Sequence, residues 1–175
     1  MENTPLIRQL TLADRDAHYQ LRLRGLQAHP EAFGQSHKEA LERGPAHYDA
    51  MLEGKRAADG NFLLGAFAAP DKPLLGVVGL KRLARLKERH KAEVIGMYVA
   101  PEAAGRGVGR ALLMELLARG RRVENLRQIQ LVVSSENDAA RHLYESVGFR
   151  RYGREPEALC VDGIYYDADL MTQFV

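Results

Sequence analysis

Between residues 92 and 123 the apolar run AEVIGMYV passes through APEAAGRGVGR into the helix-forming ALLMELLARGRRV. Gly105, Gly107 and Gly109 stand on alternate positions just where the helix must begin. Glycine costs about 1 kcal/mol against alanine inside a helix, so an ordinary helix start has no use for three. A turn whose bare backbone amides face a large anion, at the N-terminus of a helix, accounts for them. The stretch therefore predicts strand, glycine turn and helix, the helix running from about Gly107 to Val123. Two common phosphate loops are excluded by spacing. A dinucleotide fingerprint requires G-x-G-x-x-G, whereas Gly109 is followed directly by Arg110. A nucleoside-triphosphate loop requires G-K-[ST], and that tripeptide does not occur in the chain. What remains is G-x-G-x-G flanked by Arg106 and Arg110, suited to a diphosphate held without a magnesium-managing lysine and hydroxyl; a tight turn with no ligand is the alternative.

The rest of the chain supplies alternating strand and helix signals. PLIRQLT predicts an edge strand, and Thr11 with Asp14 has capping-box spacing before a helix with the stripe Tyr19, Leu23 and Leu26. Two short helices are expected around Lys38–Arg43 and Ala46–Leu52. NFLLGAFAA and LLGVVGLKRL flank the turn PDKP as a hairpin, and AEVIGMYV follows as a third strand. After the glycine turn and its helix, QIQLVV is a strand. Ser135 and Asp138 form a second capping box for a helix ending at Gly148, a suitable residue just past a helix end. EALCV and IYYDADL flank Asp162–Gly163, a strong two-residue hairpin signal. The order β-α-α-β-β-β-α-β-α-β-β predicts an α+β domain with a mixed sheet and helices on its faces.

With 175 residues and no repeat or linker, the chain reads as a single domain over 1–175. Its net charge of +2 is too small for a nucleic-acid-binding face, so no nucleic-acid partner is expected. The lone Cys160 excludes an intrachain disulfide and is expected to pack as an inert thiol in a strand. The histidines lack ligand spacing, so no metal site is expected. MENTPLIRQL has no signal-like apolar run and nothing downstream approaches a membrane span; a cytoplasmic protein, monomer or homodimer, is the expectation. The run KRLARLKERHK reads as strand ends and a solvated loop.

Two motifs carry a family resemblance. MYVAPEAAGRGVGRALL (97–113) resembles the acetyl-coenzyme A loop of the GNAT superfamily of N-acetyltransferases, [Q/R]-x-x-G-x-[G/A] after a strand ending in V-x-P. Ala104 stands where that family usually has Arg or Gln, which either weakens cofactor binding or leaves the side-chain contact to Arg106. ENDAARHLYESVGFRRYG (136–153) is similar to the family's N-x-x-A-x-x-L-Y-x-x-x-G-F helix, through Asn137, Ala140, Leu143, Tyr144, Gly148 and Phe149. The resemblance implies a GNAT fold: a central mixed, mostly antiparallel sheet, splayed between its fourth and fifth strands, with helices on both faces. It implies acetyl-CoA as cosubstrate, bound by Met97, Tyr98, Val99, Ala104, Gly105, Arg106, Gly107, Val108, Gly109, Arg110, Asn137, Ala140 and Tyr144, and direct transfer to a primary amine of a small molecule, peptide or protein.

The chemistry sets three tasks. An alkylamine is neutral only about once in 2,500 molecules at pH 7, a cost of about 4–5 kcal/mol that a general base removes. Glu93 opens the strand EVIGMYV, and in members of the family that act on histones a carboxylate at the matching position is the base; a solvated glutamate is the alternative. The resemblance gives the Val99 amide the task of polarising the thioester oxygen. It gives Tyr144 the task of protonating the departing sulfur, against the alternative of a tyrosine that only packs. Asn137, Ala140 and Tyr144 share one helix face, with Ala139, Leu143 and Val147 as an adjacent core stripe. Phe33 and the hairpin residues Tyr165, Tyr166 and Asp167 are expected near the acceptor, with plain core packing as the alternative. A non-catalytic acyl-coenzyme A sensor or scaffold is the competing class.

Overall fold

The computed structural model describes residues 5–175. Strands β1 (Leu6–Gln9), β2 (Asn61–Phe67), β3 (Leu74–Arg82), β4 (Lys91–Val99), β5 (Gln128–Ser134), β6 (Arg150–Val161) and β7 (Ile164–Phe174) form one seven-stranded sheet in the order β1-β2-β3-β4-β5-β7-β6. Strands β2 and β3 are near-continuous apolar runs because both of their faces are covered. Every neighbouring pair is antiparallel except β4 with β5. That parallel pair is brief: Lys91 faces Gln128, Ala92 faces Ile129, Glu93 faces Gln130, and the pairing then stops. Beyond it β4 stays with β3 up to Val99, and β5 stays with β7 up to Ser134. The sheet is therefore open along its middle.

Helices α1 (Arg15–Ala28), α2 (His37–Arg43) and α3 (Asp49–Leu52) cover one face, and α4 (Val108–Gly120) and α5 (Asp138–Ser146) the other. The largest core lies under α4, where Leu112, Leu113 and Leu116 meet Leu64, Val78 and Leu80. On the opposite face Leu21 of α1 packs with Val77, Tyr98 and Ala100. The Asp14 carboxylate accepts from the Thr11 amide at 2.8 Å and also receives the Arg8 fork at 2.8 Å, so the expected capping pair does open the turn into α1. No helix among the described residues is long and apolar enough to cross a membrane.

Several local expectations are corrected. Helix α4 ends at Gly120 rather than Val123, because the chain tightens into three-residue turns, with the Arg122 amide on Arg119 and that of Val123 on Gly120. Ser135 does not cap α5. Its amide is tied to the Asp167 carbonyl at 2.9 Å, and the Asn137 side chain takes the Ala140 amide at 3.1 Å instead. The buried seam of α1 is His18, Leu21 and Gly25 with Leu26, so Tyr19 and Leu23 lie beside it. Ala139 is exposed, and the inward face of α5 is Ala140, Leu143, Tyr144 and Val147. Cys160 is exposed, because β6 is the sheet's edge strand. Strand β6 also starts earlier than EALCV, at Arg150, with register shifts at Arg151/Gly153 and Glu155/Leu159 that hid its period.

Candidate active site

The divergence of β4 and β5 begins at a specific irregularity. Val77 faces Tyr98 and Gly79 faces Ile95, so Val78 is opposed by two residues, Gly96 and Met97. This bulge needs a left-handed residue, and Gly96 supplies it with φ +59°. The bulge bends β4 away from β5, leaving the β5-facing edge of its last residues without a strand partner. A cavity of about 760 Å³ fills the gap.

The cavity passes through the sheet. On the α4–α5 side Val108, Gly109, Leu143 and Tyr144 line it; on the α1 side His29, Ala32, Phe33 and Tyr98 do. Met97 and Val99 form one wall, and Val132, Val133 and Ser134 of β5 the other. Helix α4 points its N-terminus into this space. Ala104 is extended, Gly105 and Gly107 both have φ +72°, and Gly107 caps the helix through its backbone alone. The Ala111 amide is the first to bond back, to the Gly107 carbonyl at 2.9 Å, so the preceding amides have no partner within the helix. A Cβ on Gly109 would come within 3.0 Å of Leu143 and 3.2 Å of Met97, so glycine lets α4, α5 and β4 converge there.

Most of the residues singled out by sequence meet in this place. Met97, Tyr98, Val99, Ala104, Gly105, Gly107, Val108, Gly109, Arg110, Asn137, Ala140 and Tyr144 all line the cavity. Arg106 is exposed at the loop tip and outside the lining, whereas Arg110 is turned toward α5, donating to the Ser146 carbonyl at 3.0 Å. Tyr144 is 7% exposed and meets Phe149 edge-on, and burial pushes its phenol up to about 12. Glu93 stands apart from the lining: it is exposed, in the last pair before the split, opposite Lys81 on β3 and Gln130 on β5. Strand alternation puts it on the same face as Ile95, which packs over Gly79 beside Leu63 on the α1–α3 side.

Phe33 takes its expected place in the cavity wall, but Tyr165, Tyr166 and Asp167 are not part of the lining. Asp167 is instead occupied with the Glu157 amide at 2.9 Å, across the bulged part of the β6–β7 hairpin. Sequence reasoning missed His29 and Ala32, whose loop after α1 carries only the breaker Pro30 as a signal.

Known proteins share this arrangement. The chain matches spermidine N(1)-acetyltransferase of Vibrio cholerae at 34% identity over 95 residues, 54% of this chain and 55% of that protein. It matches the N-alpha-acetyltransferase RimI of Mycobacterium tuberculosis at 46% over 82 residues, 46% of this chain and 48% of that one. The chain thus spans about half the length of the curated relatives it matches. A Salmonella typhimurium protein solved with its cofactor acetyl-CoA superposes with a TM-score of 0.81 at 23% identity, covering 98% of this chain and 94% of that one, a likeness of fold. Residues 26–149, which run from the last turn of α1 through the end of α5 and hold the whole split between β4 and β5, match the acetyltransferase (GNAT) family, and the chain belongs to that family.

Proposed function

We propose that the protein transfers an acetyl group from acetyl-coenzyme A to the nitrogen of an amine, both held together in the slot between β4 and β5, with the described chain acting as one catalytic domain. One observation carries the reading: a single cavity gathers an unpartnered strand edge, an open helix N-terminus and a buried phenol around one space. The residues fit the donor. The free edge of Met97–Val99 suits an amide-bearing arm, and the first amides of α4 suit a diphosphate. Arg106 at the loop tip and Arg110 in the cavity lining, neither of them in an ion pair among the described residues, are the cations that flank this turn, and Arg106 stands in for the side chain that Ala104 lacks.

Acetyl-coenzyme A, when bound, supplies an acetyl group activated as a thioester. The Val99 amide polarises the acyl oxygen as a preorganised donor. Tyr144 keeps its proton on the phenol oxygen through the neutral range, ready for a departing sulfur. Glu93 takes the proton of the amine, directly or through water, from the α1–α3 side of the slot. The acceptor enters past Phe33. The reaction belongs in the cytoplasm, where an exposed lone thiol such as Cys160 stays reduced.

Thermal unfolding and thiol release test the reading together. A ligand at about 100 times its Kd adds about 2.7 kcal/mol to folded-state stability, so acetyl-coenzyme A should raise Tm well above the effect of NAD or ATP. Coenzyme A should be released only when an amine is added. Equal shifts from all three nucleotides would reduce the loop to a general anion site; binding with no release across a broad amine panel would leave a sensor.

A further inference from the structure

Arg22 falls in the sheet-facing seam of α1, at i+4 from His18 and i+1 from Leu21. A cation there is unusual, and its surroundings are more so. Arg15 and Arg24 on the same helix are each matched by a carboxylate, Asp49 and Glu102 respectively. Arg22, more deeply placed, has none among the described residues. Its Nε is buried without any partner, Nη2 donates to the neutral Gln35 Oε1 at 3.0 Å, and the Tyr48 hydroxyl also lies close to the group. The guanidinium lies 5.1 Å from the centre of the Phe33 ring, and Nη1 is 3.5 Å from where a Cβ on Gly96 would stand. Burial holds its pKa below the ordinary value. Burying an unpaired guanidinium is unfavourable unless another anion completes it.

The same face carries further cations, and the carboxylate that lines the cavity there, Glu31, faces His29 at 3.8 Å. The His47 imidazole is held below its usual range by burial and then by the charges of Arg43, Arg22 and Lys81. Asp49, the nearby carboxylate of α3, is taken by Arg15. Glu93 is opposite Lys81 in the β3–β4 register. Phe33 belongs both to the wall of the cavity and to the Arg22 stack, and Gly96 is the bulge residue directly before Met97. Arg22 is not itself in the cavity lining but stands directly behind its α1-side wall, against Phe33 and beside Gly96.

We propose that Arg22 is a specificity residue that binds a carboxylate of the acceptor, making the acceptor a small amine that also carries a carboxylate within a few bonds, as an amino acid does. This rests on the acetyl-transfer reading and deepens it. The guanidinium fork takes the carboxylate in two parallel bonds, Phe33 covers it from water, and the amine is left facing the slot on the side of Glu93. An ammonium group in the place of that carboxylate would be set beside the Arg22 charge and be disfavoured there.

The test measures thiol release from acetyl-coenzyme A with matched acceptors: the common amino acids, their carboxamides, peptides beginning with Asp or Glu, and spermidine. The free acids should exceed their carboxamides by roughly 10- to 100-fold in kcat/KM, mainly through KM. Peptides acting as well as free amino acids would identify a first-residue side chain as the carboxylate's source. Arg22→Met, which keeps an unbranched chain and removes the unpaired charge, should fold and should bring the acid-to-amide ratio near one. Arg22→Lys should recover part of it. Thermal shifts by the same acceptors without acetyl donor, with sodium acetate as control, read the site independently of turnover. A shift by amino acids that Arg22→Met abolishes supports the assignment even if no thiol is released, in which case acetyl transfer alone has failed. Acids and amides that behave alike, discrimination that survives in Arg22→Met, or acetate as effective as any amino acid would each overturn it.

Discussion

At Tyr144 the ring packs against Phe149 and Val147 while its edge lines the cavity, and burial alone keeps the hydroxyl protonated to about pH 12. Tyr144→Phe retains that packing and deletes only the donor. If the hydroxyl acts as the carbon–sulfur bond breaks, steady-state kinetics should show kcat falling roughly 30- to 1,000-fold, or about 2–4 kcal/mol, with donor affinity little changed. Full kcat in the variant would return Tyr144 to a packing role. Glu93, the proposed base, lies on the other side of the sheet, at the root of the split. Glu93→Gln should lower kcat/KM by roughly 10²–10⁴ at neutral pH, and the loss should shrink as pH approaches the amine's own pKa near 10. An unchanged pH–rate profile would count against it. Tyr144 was legible in sequence because its neighbours Asn137, Ala140, Gly148 and Phe149 form a local pattern. Arg22 was not, since nothing local says that its carboxylate partner is missing; that is a fact about three other elements and a strand bulge.

Helix α4 and its loop are a unit in which conformation and charge can be separated. A Cβ on Gly105 or Gly107 meets no atom within 4 Å, so the demand for glycine is the left-handed φ of +72° and not crowding. Gly107→Asn, a residue that tolerates this region, should cost under about 1 kcal/mol and keep most of the thermal shift from acetyl-coenzyme A. Gly107→Asp is nearly the same shape but puts a negative charge in the path of the proposed diphosphate, and it should abolish the shift. Equal shifts in the two variants would remove the diphosphate from the α4 N-terminus. The glycine turn, the β2–β3 hairpin and the helices were readable because each is written in a short local period. The extent of the split was not, because it depends on where β4–β5 pairing ends, at Glu93 and Gln130, and on a bulge whose only local mark is Gly96. The hairpin tip at Asp162–Gly163 was likewise clear, yet the bulges at Arg151/Gly153 and Glu155/Leu159 obscured the strand leading to it and the position of Tyr165 and Tyr166 outside the cavity.

Across the whole molecule, burial of ionisable groups should bound the pH range of stability from both ends. His18 is 3% exposed in the α1 seam, edge-on to Tyr48 at 5.0 Å, and burial, helped by the charge of Arg22, lowers its pKa to about 4. The unfolded chain protonates the same imidazole near pH 6.5. Above that pH the full contribution is present; as pH falls towards 4 the unfolded state gains a proton that the folded state refuses, and stability is lost. The separation corresponds to about 3 kcal/mol, a sizeable share of the 5–15 kcal/mol typical of a domain. Asp14 and Asp169, whose carboxyls are lowered chiefly by hydrogen bonds from Arg8 and Arg154, contribute above the unfolded carboxylate range near pH 4 and lose that contribution below it. The interval between about pH 6.5 and 4 therefore belongs to the two lowered imidazoles, the deeply buried His18 and, in the same direction, His47. At the alkaline end Tyr144 has the opposite sign: its stabilisation is complete below about pH 10 and is lost towards 12. Urea unfolding from about pH 7.5 down to about 4.5 should show the midpoint of the wild-type protein dropping steadily. His18→Phe, which keeps an aromatic ring against Tyr48 and cannot take a proton, should flatten that slope while leaving the alkaline limb in place. Parallel slopes in the two proteins would transfer the acid sensitivity to His47 and the carboxylates and leave His18 as packing alone.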